Sequence, residues 1–163
     1  MDINDKVTKA VNKQINTELY SSYLYLSNAG YFESRNWPGF ANWMKIQSKE
    51  ENAHAMKFYD YVLARGGEVV LYDIKASDVN WKTPFDVFKH VYEHELKVTV
   101  SIHDLLKTAR QENDAATESF LKWFVDEQVE EEANAKQIVE KLKLIKDSTS
   151  GLFMLDHQLG ERK

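Results

Sequence analysis

Glu50-Glu51-Asn52-Ala53-His54-Ala55-Met56-Lys57-Phe58-Tyr59 is the stretch on which the reading of this chain turns. Around it Phe40, Trp43, Gln47, Glu51, His54, Phe58 and Tyr61 recur at steps of three and four, the period of a helix face rather than of a strand. Both ends of that face are aromatic. Its centre holds an amide, a carboxylate and an imidazole. A carboxylate on a core-facing position is costly unless a positive charge answers it.

Three more stripes carry the same interruption. From Asp5 to Phe32 one face holds Val7, Val11, Gln14, Glu18, Ser21, Tyr25, Ala29 and Phe32. A third segment aligns Phe85, Phe88, Tyr92, Glu95, Val98, Ile102, Leu105 and Ala109. A fourth aligns Leu121, Phe124, Gln128, Glu131, Ala135, Ile138, Leu142 and Ile145. An interval of 33 residues separates Glu18 from Glu51 and Glu95 from Gln128. An offset of 77 relates Glu18 to Glu95, Glu51 to Gln128 and His54 to Glu131, so the two halves repeat one arrangement.

The residues between the stripes set the topology. Ser34–Trp37 is a short turn before Pro38, which helices accept in their first turn. Gly66-Gly67 follows Arg65 and closes the second helix, where a C-terminal cap favours a residue without a Cβ. Gly66–Lys82 has no helical period and, extended at about 3.3 Å per residue, can travel the length of a bundle. Thr83-Pro84, with Asp86 near the positive helix end, opens the third helix. Glu112-Asn113-Asp114 turns into the fourth. Ser148–Gly160, with Leu152, Phe153, Leu155 and Leu159, reads as a short last helix.

The expected fold is therefore all-α. Four helices span residues 5–145 with a long crossover between the second and third, and a short fifth helix spans 148–160, in a single domain of residues 1–163. In an antiparallel pair, residues equidistant from the turn lie at one depth. Ser34–Arg35 falls midway between Glu18 and Glu51, and Gln111–Glu112 midway between Glu95 and Gln128. The crossover starts the third helix at the end where the second began. One cross-section then collects Glu18, Glu51, His54, Glu95, Gln128 and Glu131.

Composition narrows the chemistry. The 163 residues, 43% hydrophobic and 29% charged, suffice for one well-filled core. Having no cysteine excludes disulfides, thiolate metal sites and iron–sulfur clusters, and suits a reducing cytoplasm. Met1-Asp-Ile-Asn-Asp5 has neither the basic patch nor the apolar run of a secretory signal. No apolar run is long enough to span a membrane, and a net charge of −5 leaves no footprint for nucleic acid.

The four carboxylates need cations, and the stripes supply none: Lys45, Lys49, Lys97 and Lys122 fall on other faces. Two divalent ions answer the set. Oxygen ligands with one imidazole suit ferrous iron or manganese, and Glu51 and His54, three apart, face the same side of one helix. Glu51 and Glu95, from the two middle helices, are placed to bridge two ions. Glu18 and His54 complete one site, and Glu131 with Gln128 the other or its edge. Singly, each residue has an ordinary explanation, a snorkelling Glu or a hydrogen-bonded core His. Six at one depth with internal repetition favour a metal site.

Around the layer, alternatives remain open. Tyr25, two turns from Glu18, is a hydrogen-bond or electron donor to the site, or a core aromatic. Glu50, Glu127 and Glu130 each flank an inner residue by one position and form a solvated face or a third, exchangeable cation site. His90, His94, His103 and His157 show no ligand spacing with the layer.

Glu18-Leu-Tyr-Ser-Ser-Tyr-Leu-Tyr-Leu26, Glu50–Tyr59 and Phe120-Leu-Lys-Trp-Phe-Val-Asp-Glu-Gln-Val-Glu-Glu131 resemble the ferritin family, and closely the non-haem ferritins of bacteria and archaea. The likeness runs essentially the length of the chain. A Glu-x-x-His at the bundle centre is the pattern already described for di-iron proteins of the ferritin-like fold. The resemblance implies a ferroxidase centre in which Glu18, Glu51, His54 and Glu95 hold one iron. Glu51, Glu95 and Glu131 hold the other, with Gln128 close by. It also implies a third iron site of Glu50, Glu127 and Glu130. No haem is expected, because Asn52 stands where bacterioferritin has its haem-binding Met. Gln128-x-x-Glu131 stands where rubrerythrins and di-iron oxygenases repeat Glu-x-x-His.

The same resemblance implies a function. Ferrous iron is oxidised by dioxygen or hydrogen peroxide and stored as ferric mineral inside a cytoplasmic cage of twenty-four copies, with no nucleic-acid or membrane partner. The fifth helix, too short to be stable alone in water, would find its partner surface where copies meet about four-fold axes. Two other readings remain: a di-iron or di-manganese peroxidase or oxidase without mineral storage, and a metal-free helical interaction module whose buried acids stay protonated.

Overall fold

The computed structural model describes residues 1–76 and 80–163, so the part of the expected crossover at 77–79 lies outside the described residues. Five helices and no strand occur among them: α1 (Asp5–Glu33), α2 (Pro38–Ala64), α3 (Pro84–Gln111), α4 (Ala115–Ile145) and α5 (Thr149–Gly160). The expected boundaries hold to within a residue or two.

Local chemistry explains the helix ends. The Asn4 side chain accepts from the Val7 amide at the start of α1, and Thr83 and Asp86 exchange hydrogen bonds as a capping box at α3. Asp114 and Ser148 cap α4 and α5 in the same way. Gly66 sits at φ 70° and the Gly67 amide donates to the Val62 carbonyl at 2.9 Å, which ends α2. The start of α2 has no cap of its own. Trp37 gives no side-chain acceptor, and Asp156 on α5 takes that role, accepting from the Phe40 amide at 2.9 Å.

α1 pairs with α2 and α3 with α4, α1 also runs along α3, and α5 lies on α2 and touches α4. Glycine at position 39 permits the α2–α5 approach, since a Cβ there would lie 1.6 Å from the Asp156 carbonyl oxygen. Buried Asn12 clamps the start of the crossover, donating to the Glu68 carbonyl at 2.9 Å and accepting from the Val70 amide at 3.2 Å. Trp81 secures its far end, its indole N–H donating to Asn28 at 3.1 Å.

The hydrophobic core is divided in two. Tyr25, Phe32, Phe40, Met44, Phe88 and Leu142 anchor one cluster, and Val11, Ile15, Phe58, Ile102, Leu121 and Phe124 the other. Fully burying one such side chain stabilises the fold by about 1.5–3 kcal/mol. The residues between the clusters are polar, and they are the ones the stripes singled out.

The stripes are not buried throughout. Tyr61, Phe85, Tyr92 and Ile145 are half-buried. In α5, Leu155 and Leu159 are buried, Leu152 is half-buried and Phe153 points to solvent. A lone short helix has one inward face, and these four residues span more than that face.

Candidate metal centre

Four helices deliver one polar layer: Glu18 from α1, Glu51 and His54 from α2, Glu95 from α3, and Gln128 and Glu131 from α4. None is more than 6% exposed. Ligand atoms of Glu18, Glu51 and His54 lie within 4.8 Å of one another, and so do those of Glu51, Glu95 and Glu131. Glu51 belongs to both groups. His54 Nδ1 lies 3.2 Å from Glu51 Oε2 and 3.9 Å from Glu18 Oε2. Glu18 Oε2 is buried, and no described protein group donates a hydrogen bond to it.

Three amides and a phenol hold the carboxylates from behind. Gln14 donates to Glu18 Oε1 at 2.7 Å. Gln47 donates to Glu131 Oε2 at 2.6 Å and to Glu51 Oε1 at 3.2 Å. Gln128 donates to Glu95 Oε2 at 3.2 Å and to Thr99 Oγ1 at 3.2 Å. The Tyr25 hydroxyl donates to Glu95. Fully buried Tyr25 is thus joined to the layer, and Glu51 and Glu95 are both oriented by neighbours.

Among the described residues, no lysine or arginine joins the buried layer. Lys45 pairs with Glu33, and Lys122 with Asp126 at 3.4 Å, both at the surface. Burial, followed by the neighbouring carboxylates, pushes the Glu18 and Glu51 carboxyls well above the ordinary range. Glu95 is pushed up to about 7, mainly by burial, against the lowering effect of hydrogen bonds from Tyr25 and Gln128. Glu131 is likewise pushed up to about 7 by burial and then by the charge of Glu95. A divalent cation reverses these effects by favouring the ionised forms. Oxygen-rich donors with one imidazole fit ferrous iron.

The flanking acids diverge. Glu127 is half-buried, and its ligand atoms lie within 4.8 Å of those of His54 and Glu131. Glu130 is exposed. Glu50 is paired with Arg162 Nη2 at 2.7 Å. No group of ligand atoms among the described residues brings Glu50, Glu127 and Glu130 together.

His94 is buried beside Glu95 in sequence but faces Ser21, with Nε2 2.7 Å from the hydroxyl. Ser21 donates onward to the Thr17 carbonyl at 3.0 Å, so the imidazole N–H is the donor to Ser21. Burial pushes the His94 pKa down to about 4, and the ring stays neutral. Trp123 is 40% exposed, with its ring edge-on to His54 and the Lys57 ammonium 3.1 Å from its centroid.

The sequence put Gln14 and Gln47 on inner faces but assigned them no role, and Thr99 and Arg162 were passed over. The first two carried a signal, because each lies four residues before a layer carboxylate and the interval from Gln14 to Gln47 is again 33. Thr99, four residues after Glu95, lies on a β-branched polar position with no such echo.

Residues 8–145 match the ferritin-like domain. A bacterial non-heme ferritin of Bacteroides fragilis is 47% identical over 160 residues, 98% of this chain and 99% of that protein. One from Staphylococcus epidermidis is 36% identical over 160 residues, covering 98% of this chain and 96% of its own. Among solved structures, an open pore ferritin from the hyperthermophilic archaeon Archaeoglobus fulgidus superposes with a TM-score of 0.97 at 52% identity, covering 99% and 98% of the two chains. A closed form of that ferritin engineered by mutagenesis gives 0.98 at 51% identity, covering 99% of each chain.

Proposed function

This chain belongs to the ferritin family, and from that premise we propose that it oxidises ferrous iron at the carboxylate layer and stores the ferric product within a cage of its own copies. Iron is the substrate and the cargo. The observation that carries the reading is the pair of buried ligand groups, Glu18–Glu51–His54 and Glu51–Glu95–Glu131, which share a carboxylate in a layer free of cationic side chains.

One ferrous ion takes Glu18, Glu51, His54 and Glu95. A second takes Glu51, Glu95 and Glu131, with Gln128 beside it. Shared carboxylates hold two ions at the few-ångström separation that two-metal chemistry uses. Each ion gives up one electron. The pair reduces dioxygen, with two protons, to hydrogen peroxide, or reduces peroxide, with two protons, to water. Four carboxylates favour the higher charge of the ferric product. Tyr25 holds Glu95 through the change and is an aromatic electron donor hydrogen-bonded to the layer. Ferric ions then hydrolyse to oxyhydroxide and release protons.

The route out runs past Glu127, which groups with His54 and Glu131. A third ion there would recruit Glu50 and Glu130 only after Glu50 leaves Arg162. The cage reading rests on the family and on exposed apolar residues Leu144, Phe153 and Met154 around the start of α5, which a second copy would cover. Twenty-four copies is the proposed count. A cytoplasmic location is part of the proposal and rests on the family; no described helix is long and apolar enough to cross a membrane.

Adding ferrous iron aerobically, and following absorbance and sedimentation together, tests the proposal. Fast oxidation should appear, and iron should sediment with a large particle in amounts far above two per chain. A small oligomer that turns over peroxide but never holds more than two ions per chain would make the chain a di-iron peroxidase or oxidase. Glu51→Ala should abolish fast oxidation while leaving the assembly intact.

A further inference from the structure

Arg162 lies two residues beyond α5, and the docking of α5 fixes where it goes. Asn42 on α2 donates to the Arg162 carbonyl at 3.0 Å, beside the Asp156–Phe40 hydrogen bond that seats the helix. From there the guanidinium reaches across α2, its carbon 4.9 Å from the Trp43 ring centroid. Nη2 donates to Glu50 at 2.7 Å, and Nη1 donates to Gln47 Oε1 at 3.0 Å.

The second contact decides an orientation. A guanidinium can only donate, so it faces the Gln47 carbonyl and turns the amide NH2 inward. Both inward hydrogens are used, on Glu131 at 2.6 Å and on Glu51 at 3.2 Å. Reversed, Gln47 would set its N–H groups against the guanidinium, and its carbonyl against two carboxylates once metal has ionised them. Gln47 is 1% exposed, and no water-facing alternative relieves that conflict.

We infer that Arg162 is a positioning residue for the metal layer, acting through Gln47 to hold Glu51 and Glu131 in the geometry that receives cations. It deepens the iron-site reading and rests on it. The fifth helix thereby has a second role besides association, since its docking delivers the group that aligns a ligand donor on another helix. Hydrogen-bond partners of this kind alter metal affinity by about 10–100-fold when removed.

Cobalt(II), which is redox-stable and coloured, is the probe. The full assembled chain, stripped of metal, is titrated with cobalt and its visible spectrum followed, for wild type, Arg162→Ala, Gln47→Ala and the double variant. Each single variant should bind cobalt in the layer about tenfold more weakly, with an altered d–d spectrum. The double variant should be no weaker than either single, because both changes break one linkage. Arg162→Lys keeps a positive charge near Glu50 but lacks the fork that spans Glu50 and Gln47, and should bind as weakly as Arg162→Ala. Helix content and particle size are measured on every variant, and Arg162→Lys stands in should Arg162→Ala fail to assemble. Wild-type binding and spectrum in the Arg162 variants would overturn the inference, as would losses that multiply to about a hundredfold in the double variant. A wild-type chain that takes no cobalt into the layer would overturn the iron-site reading together with this inference.

Discussion

Loading the layer with divalent metal should expel protons in a number that depends on pH. Glu95 and Glu131 titrate near 7 in the folded, metal-free chain. At about pH 6 each is then about nine-tenths protonated and at about pH 8 about one-tenth, so the pair releases about 1.6 more protons per chain at the lower pH. Glu18 and Glu51, also held up by burial, add to the release. The total at about pH 6 should fall between about two and four. Zinc is the appropriate ion, since it does not oxidise. Metal-free protein in weak buffer is titrated with zinc while a pH-stat counts protons. Glu131→Gln, which removes one titrating group, should lower the count near pH 6 by about one. A release below one proton per chain near pH 6, or one unchanged near pH 8, would refute the view that burial keeps these carboxyls protonated until metal arrives.

Three further outcomes are expected. Folded Glu95 and Glu131 bind protons up to about 7 while unfolded glutamates release them near 4.5. Their contribution to the stability of the metal-free protein should therefore be full below about 4.5 and be lost as pH rises through 7. The loss is on the order of 3 kcal/mol per group, measurable by denaturant unfolding near pH 5 and pH 8. His54→Ala should weaken the ion held with Glu18 more than the one held with Glu131, splitting a zinc isotherm into two unequal steps by calorimetry. Asp156→Ala leaves the buried Phe40 amide without its acceptor and should cost about 1–3 kcal/mol, read as faster proteolysis of α5.

The layer was legible because helix geometry is local. Steps of three and four put Glu18, Glu51, Glu95 and Glu131 on inner faces, and equal distances from the two turns put them at one depth. Capping residues Thr83, Asp86 and Gly66 marked helix ends for the same reason. What escaped depends on contacts distant in sequence. Arg162 meets Glu50 from 112 positions away, and Asp156 caps α2 from 116 away. Both follow from how α5 docks, and a helix of 12 residues with several apolar positions does not declare which face turns inward. Phe153 lies on the outer side of α5, its ring 5.1 Å from that of Trp37 and still exposed. Glu50 and Glu130 flank the layer residues by one position, which on a helix is a rotation of about 100°. That rotation takes Glu50 to Arg162 and Glu130 into solvent.

Crystals of the protein soaked anaerobically in ferrous iron, with anomalous difference maps at the iron edge, bear on the layer most directly. Two peaks per chain are expected, one among Glu18, Glu51 and His54 and the other among Glu51, Glu95 and Glu131. Iron confined to surface carboxylates, with the buried groups hydrogen-bonded to one another and no density between them, would contradict the account.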